Sequence, residues 1–254
     1  MHISPQRPVL KYLSSYKIII AVCLALTLAA CNKTAETTDP GYTTGPATQG
    51  GTGRYYMGRE LAHFMSYEGA GWLERPEREA EERTDLVLQN LPVQPDSVVA
   101  DIGAGSGFFT RRIAARVPGG RVIAVDIQPE MLAILRDKAA AEGINNIETV
   151  LATEKSLNLE PNSIDLALFV DVYHELAQPR EVMRELRTAL RPGGKVILIE
   201  YRAEDPAIPI IPVHKMTARQ ARLELEAAGF YFAENPDFLP IQHFLVFARD
   251  PVTP

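Results

Sequence analysis

The sequence is poor in cysteine and in basic residues. Its 254 residues include two cysteines, Cys23 and Cys31, and five histidines, no two of which lie three or four positions apart. The ligand spacings typical of zinc sites are therefore absent, and no metal site is predicted. Lysine and arginine total 26 against 32 acidic residues. Without a basic stripe, a nucleic-acid-binding protein is not expected.

Hydrophobic runs long enough to span a membrane are also lacking. An uncharged, mostly apolar N-terminal stretch, residues 18–30, has 13 residues. A spanning helix needs about 20, whereas a signal-peptide core needs about 7–15. Lys11 and Lys17 precede this stretch, and it ends in Leu28-Ala29-Ala30-Cys31, which resembles the bacterial lipobox. We therefore predict that residues 1–31 are a lipoprotein signal peptide ending in a lipidated Cys31.

This signal predicts a membrane-anchored lipoprotein on the periplasmic or cell-surface side. An ordinary secretory signal or an uncleaved anchor is the alternative reading, and an unused signal would leave the protein in the cytoplasm. Residues 32–53 are rich in Thr, Gly, Pro and Ala, with Tyr42 as the one bulky apolar residue. Such a segment cannot bury much surface, so we predict a flexible linker.

Residues 54–254 are predicted to form the folded domain, which begins with a helical cap over residues 54–91. Leu61, Phe64 and Met65 have helical spacing, and Pro76 is placed to start a second helix. Trp72, the one tryptophan, lies between these two helices. It is interpreted either as a packing residue or as part of the mouth of a ligand site.

From residue 92 to residue 254 the pattern alternates apolar strands with helices. Five strands are predicted at residues 97–100, 121–125, 147–151, 164–170 and 195–200. Their lack of polar alternation favours a parallel sheet with helices on both faces. Two further strands, residues 230–233 and 243–248, are separated by about nine residues. Because parallel strands need a longer crossover, this last pair is predicted to be antiparallel. The predicted fold is thus an α/β fold with a seven-stranded, mostly parallel sheet.

A glycine-rich turn follows the first of these strands and reads Asp101-Ile102-Gly103-Ala104-Gly105-Ser106-Gly107. A strand, such a turn and a helix form a nucleotide site at the carboxyl edge of a sheet. Position 108 is Phe where a dinucleotide fingerprint has Gly. This spacing disfavours NAD, so a nicotinamide oxidoreductase is the weakest alternative. Asp126, at the end of the second strand, can accept hydrogen bonds from ribose hydroxyls in either class of nucleotide.

Four segments together resemble the class I S-adenosylmethionine-dependent methyltransferases. They are the glycine-rich turn, Asp126, residues 162–168 and Leu190-Arg191-Pro192-Gly193-Gly194. The resemblance implies a Rossmann-like fold and S-adenosylmethionine as cofactor. It also implies a role for each site residue. Gly103, Ala104 and Gly105 would lie under the methionine part, and Gly107 would end the turn. Asp101 would lie near the ammonium group, Asp126 on the ribose, Ile127 on the adenine, and Thr153 or Glu154 at the adenine amine.

Asp171 and His174, which follow the fourth strand, complete the predicted site. In the family, the residues after this strand face cofactor and substrate, which places Asp171 in the cofactor site. His174 is either a base or substrate-binding residue or a hydrogen-bonded loop histidine. Methyl transfer to a small-molecule acceptor is the expected activity. Because S-adenosylmethionine is not expected outside the cytoplasm, an exported methyltransferase-like binding module without catalysis is the alternative.

Overall fold

The N-terminal part of the described chain is a small antiparallel sheet. The computed structural model describes residues 41–251, so the predicted signal peptide with Cys31 and linker residues 32–40 lie outside it. Within 41–251, no helix has the length and apolar character needed to cross a membrane. The sheet contains β1 (Tyr42–Thr44), β2 (Gly51–Tyr56) and β3 (Arg59–Ala62) in that order.

The linker prediction is therefore wrong for residues 42–53, and the helix prediction is wrong around Leu61. The Glu60 carboxylate orders the polar, glycine-rich segment by accepting hydrogen bonds from the Thr48 N–H and hydroxyl and from the Gly53 N–H. Tyr42, Tyr56 and Leu61 add a small hydrophobic cluster. Composition could not reveal this order because the stabilising carboxylate lies outside the segment that it holds.

Helices follow this sheet, as predicted for the cap from residue 70 onward. They are α1 (Ala70–Leu73), α2 (Arg78–Glu82) and α3 (Thr84–Asn90). A 3-10 turn, Tyr67–Gly69, precedes them. Pro76 lies two residues before α2, consistent with its predicted place at a helix start.

The central sheet confirms the predicted seven-stranded topology. Its strands are β4 (Val98–Ile102), β5 (Arg121–Asp126), β6 (Ile147–Leu151), β7 (Ile164–Val170), β8 (Leu190–Tyr201), β9 (Tyr231–Glu234) and β10 (Gln242–Ala248). Their order is β6-β5-β4-β7-β8-β10-β9. β10 is antiparallel to both β8 and β9, as expected for strands joined without a crossover helix. β8 begins five residues earlier than predicted, at Leu190.

Four further helices cover the two faces of this sheet. They are α4 (Phe108–Ala114), α5 (Pro129–Ala141), α6 (Pro179–Ala189) and α7 (Ala218–Ala227). Alternate residues of β4 point to opposite faces: Val98 packs in the core that contains α6 and α7, and Val99 in the core that contains α3 and α4. The carboxyl ends of the parallel strands are left uncovered by these helices, which is where ligands bind in such folds.

The N-terminal sheet is joined to the central domain by buried polar contacts. Arg59 makes a two-pronged ion pair with Glu224 of α7, at 2.7 and 2.8 Å, and also donates to the His174 carbonyl. The Tyr42 hydroxyl donates to Glu181 of α6 at 2.6 Å. These contacts place β3 beside the loop that follows β7, and hence beside the uncovered strand ends.

Candidate functional site

A cavity of about 610 Å³ opens at the carboxyl edge of the central sheet. The ends of β4, β5, β7 and β8 contribute to its wall, together with the N-terminal helices and the loop that contains Pro209 and His214. This volume is within the range of about 300–1,000 Å³ that is usual for small-molecule sites.

The cavity brings together most of the predicted site residues. The residues predicted to bind the cofactor that line the cavity are Gly103, Gly105, Asp126, Ile127, Thr153, Glu154 and Asp171. His174 lines the cavity as well. Three predicted residues, Asp101, Ala104 and Gly107, are buried and are not part of the lining. They support the turn from behind, and direct cofactor contact by these three stays a prediction.

The glycine-rich turn needs glycine for backbone conformation and for packing. Gly103 has φ +68°, and a Cβ there would lie 2.3 Å from Val172 Cγ2. The N–H groups of Gly103 and Ala104 both donate to the Val125 carbonyl, which ties the turn to the end of β5. Gly107 also has positive φ, and its missing side chain makes room for Leu135 of α5. The turn is therefore held rigidly beside Asp126.

Asp126 is the carboxylate that connects the turn to the cavity. Its Oδ2 accepts the Gly105 N–H at 2.8 Å, and its Oδ1 accepts the Gln128 N–H at 2.9 Å. Burial raises the pKa of Asp126 above its usual value, although the backbone hydrogen bonds oppose this effect. Each carboxylate oxygen can accept a second hydrogen bond, so the fixed carboxylate still suits a vicinal diol such as a ribose.

Asp101 is buried behind the turn and is engaged within the protein. The Thr110 hydroxyl donates to its Oδ2 at 2.6 Å. Burial raises the pKa of Asp101 to about 6. The Thr153 hydroxyl accepts N–H groups from Lys155 and Ser156 and so is used in a local turn. Thr153 and Glu154 both line the cavity, so the choice between them at the adenine stays open.

Asp171 has an unusual environment for a carboxylate. Its φ is +51°, a left-handed conformation that is uncommon outside glycine and enriched at functional sites. Its Oδ2 accepts from Gln242 at 2.7 Å, while its buried Oδ1 has no hydrogen-bond partner among the described residues 41–251. Burial and the nearby charges of Glu82 and Glu200 raise the pKa of Asp171 well above its usual value. An unpartnered buried acceptor on a cavity wall suits a donor group of a ligand.

His174 lies at the centre of a polar cluster on the cavity wall. Its Nδ1 lies 2.6 Å from Glu200 Oε2, and its Nε2 lies 3.1 Å from His214 Nδ1. Burial lowers the pKa of His174, but the charge and hydrogen bond of Glu200 outweigh this and raise it overall. Burial and the charge of His174 lower the pKa of His214 to about 4. Burial raises the pKa of Glu175 to about 7.

Sequence reasoning assigned no site role to Glu200 or His214, although both approach this cluster. Glu200 does carry a signal: like Asp126, it lies at the carboxyl end of a strand, so it reaches the same edge. His214 lies in a proline-rich loop and has no spacing signal. Trp72 is 42% exposed and lines the cavity, with the Arg75 guanidinium 3.8 Å from its ring centre. It thus belongs to the mouth of the site, the second of the two sequence-based readings.

Part of this chain is similar in sequence to known proteins. Residues 100–198 match a family described as methyltransferase domain. An uncharacterized methyltransferase-like protein of Schizosaccharomyces pombe is 33% identical over 58% of this chain and 54% of its own length. A ubiquinone/menaquinone biosynthesis C-methyltransferase of Hahella chejuensis is 31% identical over 50% of this chain and 51% of its own length. The chain thus spans about half the length of the curated relatives it matches.

Solved structures show the same fold. A SAM-dependent methyltransferase of Aquifex aeolicus superposes with a TM-score of 0.67 at 24% identity, covering 73% of this chain and 98% of the other. The matched region, residues 100–198, contains the glycine-rich turn, Asp126, Asp171 and His174. Residues 100–198 are thus similar to a methyltransferase domain, and the central sheet has the fold seen in a SAM-dependent methyltransferase.

Proposed function

We propose that this protein transfers a methyl group from S-adenosylmethionine to a small-molecule acceptor. The hydrogen bond from the Gly105 N–H to Asp126 Oδ2 carries this proposal, because it joins the two cofactor motifs at the wall of one cavity. The methyltransferase match over residues 100–198 includes both motifs.

The cavity wall around Asp126, Ile127 and the glycine-rich turn contains groups that fit each part of S-adenosylmethionine. Asp126 offers carboxylate oxygens to the ribose hydroxyls, and Ile127, which is 36% exposed, offers an apolar surface to the adenine. Gly103 and Gly105 line the same cavity beside Asp126, so their backbone would face the methionine part. When bound, the cofactor would supply a sulfonium methyl group. An acceptor electron pair would bond in line to the methyl carbon as the carbon–sulfur bond breaks, and S-adenosylhomocysteine would leave with that bonding pair on its sulfur.

The lining of the cavity as a whole is mostly apolar, which supports an apolar acceptor. Phe64, Met65, Trp72, Ile210 and Ile211 contribute to its lining. Both ring nitrogens of His174 are engaged, with Glu200 and with His214, so His174 alone is not placed as a free base. The protein's main contribution to rate would then be alignment of acceptor and methyl group.

Calorimetric titration with S-adenosylmethionine and S-adenosylhomocysteine tests the cofactor. Asp126→Ala should weaken binding about 10- to 100-fold, because hydrogen bonds to a charged group are worth about 1.5–3 kcal/mol. Asp165→Asn is the matched control: Asp165 pairs with Arg191 away from the cavity, so its variant should bind normally. Absence of binding by the wild type at millimolar ligand would refute the proposal, and binding of NADH instead would favour an oxidoreductase.

Transfer of a labelled methyl group tests catalysis separately. The acceptor panel should include demethylated quinones, because relatives of this chain are named for ubiquinone and menaquinone biosynthesis. Cofactor binding without transfer to any acceptor would favour the alternative of a binding module.

We further propose that the chain is a lipoprotein anchored to a membrane through Cys31, on the periplasmic or cell-surface side. Methyl transfer would then require S-adenosylmethionine in that compartment, or copies of the chain whose signal is unused and that stay in the cytoplasm. The supporting observation is the sequence Leu28-Ala29-Ala30-Cys31 after an uncharged stretch. Growth with a radioactive fatty acid should label the wild type and leave the Cys31→Ala variant unlabelled. An unlabelled wild type would contradict the anchor and leave the methyltransferase proposal intact.

A further inference from the structure

Three potential metal ligands meet on the cavity wall although they come from two separate segments. His174 and Glu175 lie in the 3-10 turn Tyr173–Glu175 after β7, and His214 lies in the 3-10 turn Pro212–His214. One ligand atom from each of the three lies within 4.8 Å of the other two. His174 Nε2 is 3.1 Å from His214 Nδ1, and Glu175 Oε1 is 3.6 Å from the same nitrogen.

We propose that His174, Glu175 and His214 form a binding site for a divalent transition-metal ion such as Zn²⁺. Ligand atoms that each lie about 2.0–2.2 Å from one zinc ion are about 3.3–3.6 Å apart in a tetrahedral arrangement. The two observed separations, 3.1 and 3.6 Å, lie close to that range. The third pair, His174 and Glu175, lies within 4.8 Å, so a shift of the Glu175 side chain would complete the arrangement.

The third ligand distinguishes this cluster from an ordinary pair of hydrogen-bonded histidines. A hydrogen bond between His174 and His214 accounts for their 3.1 Å separation by itself. The Glu175 carboxylate is held by a backbone hydrogen bond from Met65, and its Oε1 lies 3.6 Å from His214 Nδ1, too far for a normal hydrogen bond. Two imidazoles and a carboxylate converging on one point are the donor set of catalytic zinc and non-haem iron sites.

Glu200 prepares His174 for such a role. Metal-bound histidines usually donate their second N–H to a carboxylate, which fixes the tautomer and the ring orientation. Glu200 Oε2 lies 2.6 Å from His174 Nδ1, and both side chains are buried. With the proton held at Nδ1, the lone pair at Nε2 points toward His214 and the proposed ion. Glu200 is thus a positioning residue rather than a ligand.

The donor types also select among metals. Imidazole nitrogen suits zinc, iron, copper and nickel, whereas magnesium and calcium prefer oxygen ligands. Two of the three donors are nitrogen, so Mg²⁺ should bind poorly. All three residues line the cavity, so the remaining coordination positions would face its interior. In a methyltransferase, an acceptor oxygen could occupy such a position; this last point rests on the proposed function, while metal binding does not.

Metal content of the full-length chain tests the proposal. Protein freed of metal with a chelator is dialysed against Zn²⁺ or Mg²⁺ and analysed by mass spectrometry, and the Co²⁺ form is examined for visible d–d absorption. We expect the wild type to hold one more equivalent of Zn²⁺ than either His214→Ala or Glu175→Gln. The Co²⁺ absorption should be lost in both variants.

His243→Ala is the matched control, because His243 also pairs with a glutamate, Glu204 at 2.9 Å, but lies outside the cavity lining. This variant should keep the wild-type equivalent. Equal zinc content in the wild type and His214→Ala would overturn the proposal, as would an equal loss in His243→Ala. Any zinc held by residues elsewhere in the chain cancels in these differences.

A parallel titration with S-adenosylhomocysteine separates this inference from the proposed function. Zinc binding without nucleoside binding would leave the metal site standing and refute the methyltransferase. Nucleoside binding with no difference in zinc content between the wild type and the variants would refute the metal site and leave the methyltransferase proposal standing.

Discussion

Nδ1 of His174 lies 2.6 Å from Oε2 of Glu200, and the two side chains are 2% and 0% exposed. Glu200 is near the end of β8, and His174 follows β7, the strand paired beside it. Glu200 also accepts the Tyr173 N–H at 2.9 Å through its other oxygen. One carboxylate therefore fixes both the backbone and the ring of the turn that carries His174.

The substitution Glu200→Gln should weaken Zn²⁺ binding about 10- to 100-fold, the usual effect of losing such a supporting carboxylate. If the amide oxygen keeps the Tyr173 N–H, the amide nitrogen faces His174 Nδ1. The ring proton must then move to Nε2 and occupy the lone pair that would bind the ion. Zinc titration with a competing indicator measures the change.

Glu204→Gln provides the control for this substitution, because Glu204 pairs with His243 away from the cavity. Its zinc affinity should equal that of the wild type. Equal weakening by both variants would show that the effect of Glu200 is not specific to the proposed site.

Replacing Arg59 by Met should destabilise the protein by about 3–5 kcal/mol, because the partner carboxylate of Glu224 is left buried and without its ion pair. The Glu224 side chain is 0% exposed. Urea unfolding measures the loss. Arg121→Met is the control: Arg121 and Glu148 are 47% and 56% exposed, and such exposed pairs contribute about 0–1 kcal/mol. Similar losses in the two variants would contradict this account.

Gly103→Ala should cost more stability than Gly193→Ala, although both glycines have positive φ, +68° and +77°. A side chain at either position in this conformation costs about 1–2 kcal/mol. At Gly103 the added Cβ also meets Val172 at 2.3 Å, whereas at Gly193 no atom of the described chain lies within 4 Å of it. Overpacking should add about 1–3 kcal/mol at Gly103. Equal free energies of unfolding for the two variants would refute the packing role of the turn.

The stability contribution of Asp101 should fall as the pH rises. Burial raises the pKa of Asp101 to about 6 in the folded state, whereas an unfolded aspartate titrates near about 3.9. Between these values the folded state holds a proton that the unfolded state has lost, so stability decreases with increasing pH.

Asp101→Asn should remove this dependence and keep an acceptor for Thr110. The free energy of unfolding of the variant, relative to the wild type, should therefore rise by about 2 kcal/mol between pH of about 4.5 and 7.5. Urea titrations at the two pH values measure it. A difference that does not change with pH would mean that Asp101 has the same pKa in both states.

The central fold could be predicted because its signals are local. The apolar run that ends in Asp101, the alternate glycines and the helix that follows are contiguous, and each restricts the backbone directly. The antiparallel pairing of β9 and β10 followed from a connection too short for a crossover helix. Asp126 could be placed at the cavity because all parallel strands end at the same edge.

The order of the N-terminal sheet and the grouping of polar side chains around His174 were determined only by the tertiary structure. Thr48 and Gly53 are ordered by Glu60, whose hydrogen bonds do not appear in the composition of the segment they hold. Glu200 and His214 lie 26 and 40 residues from His174, so no spacing pattern connects them. By itself the sequence determined the sheet and the cofactor edge, because periodicity and turn chemistry act between neighbours. Only folding decided which distant side chains share a buried wall, because β7, β8 and the proline-rich loop must first be packed side by side.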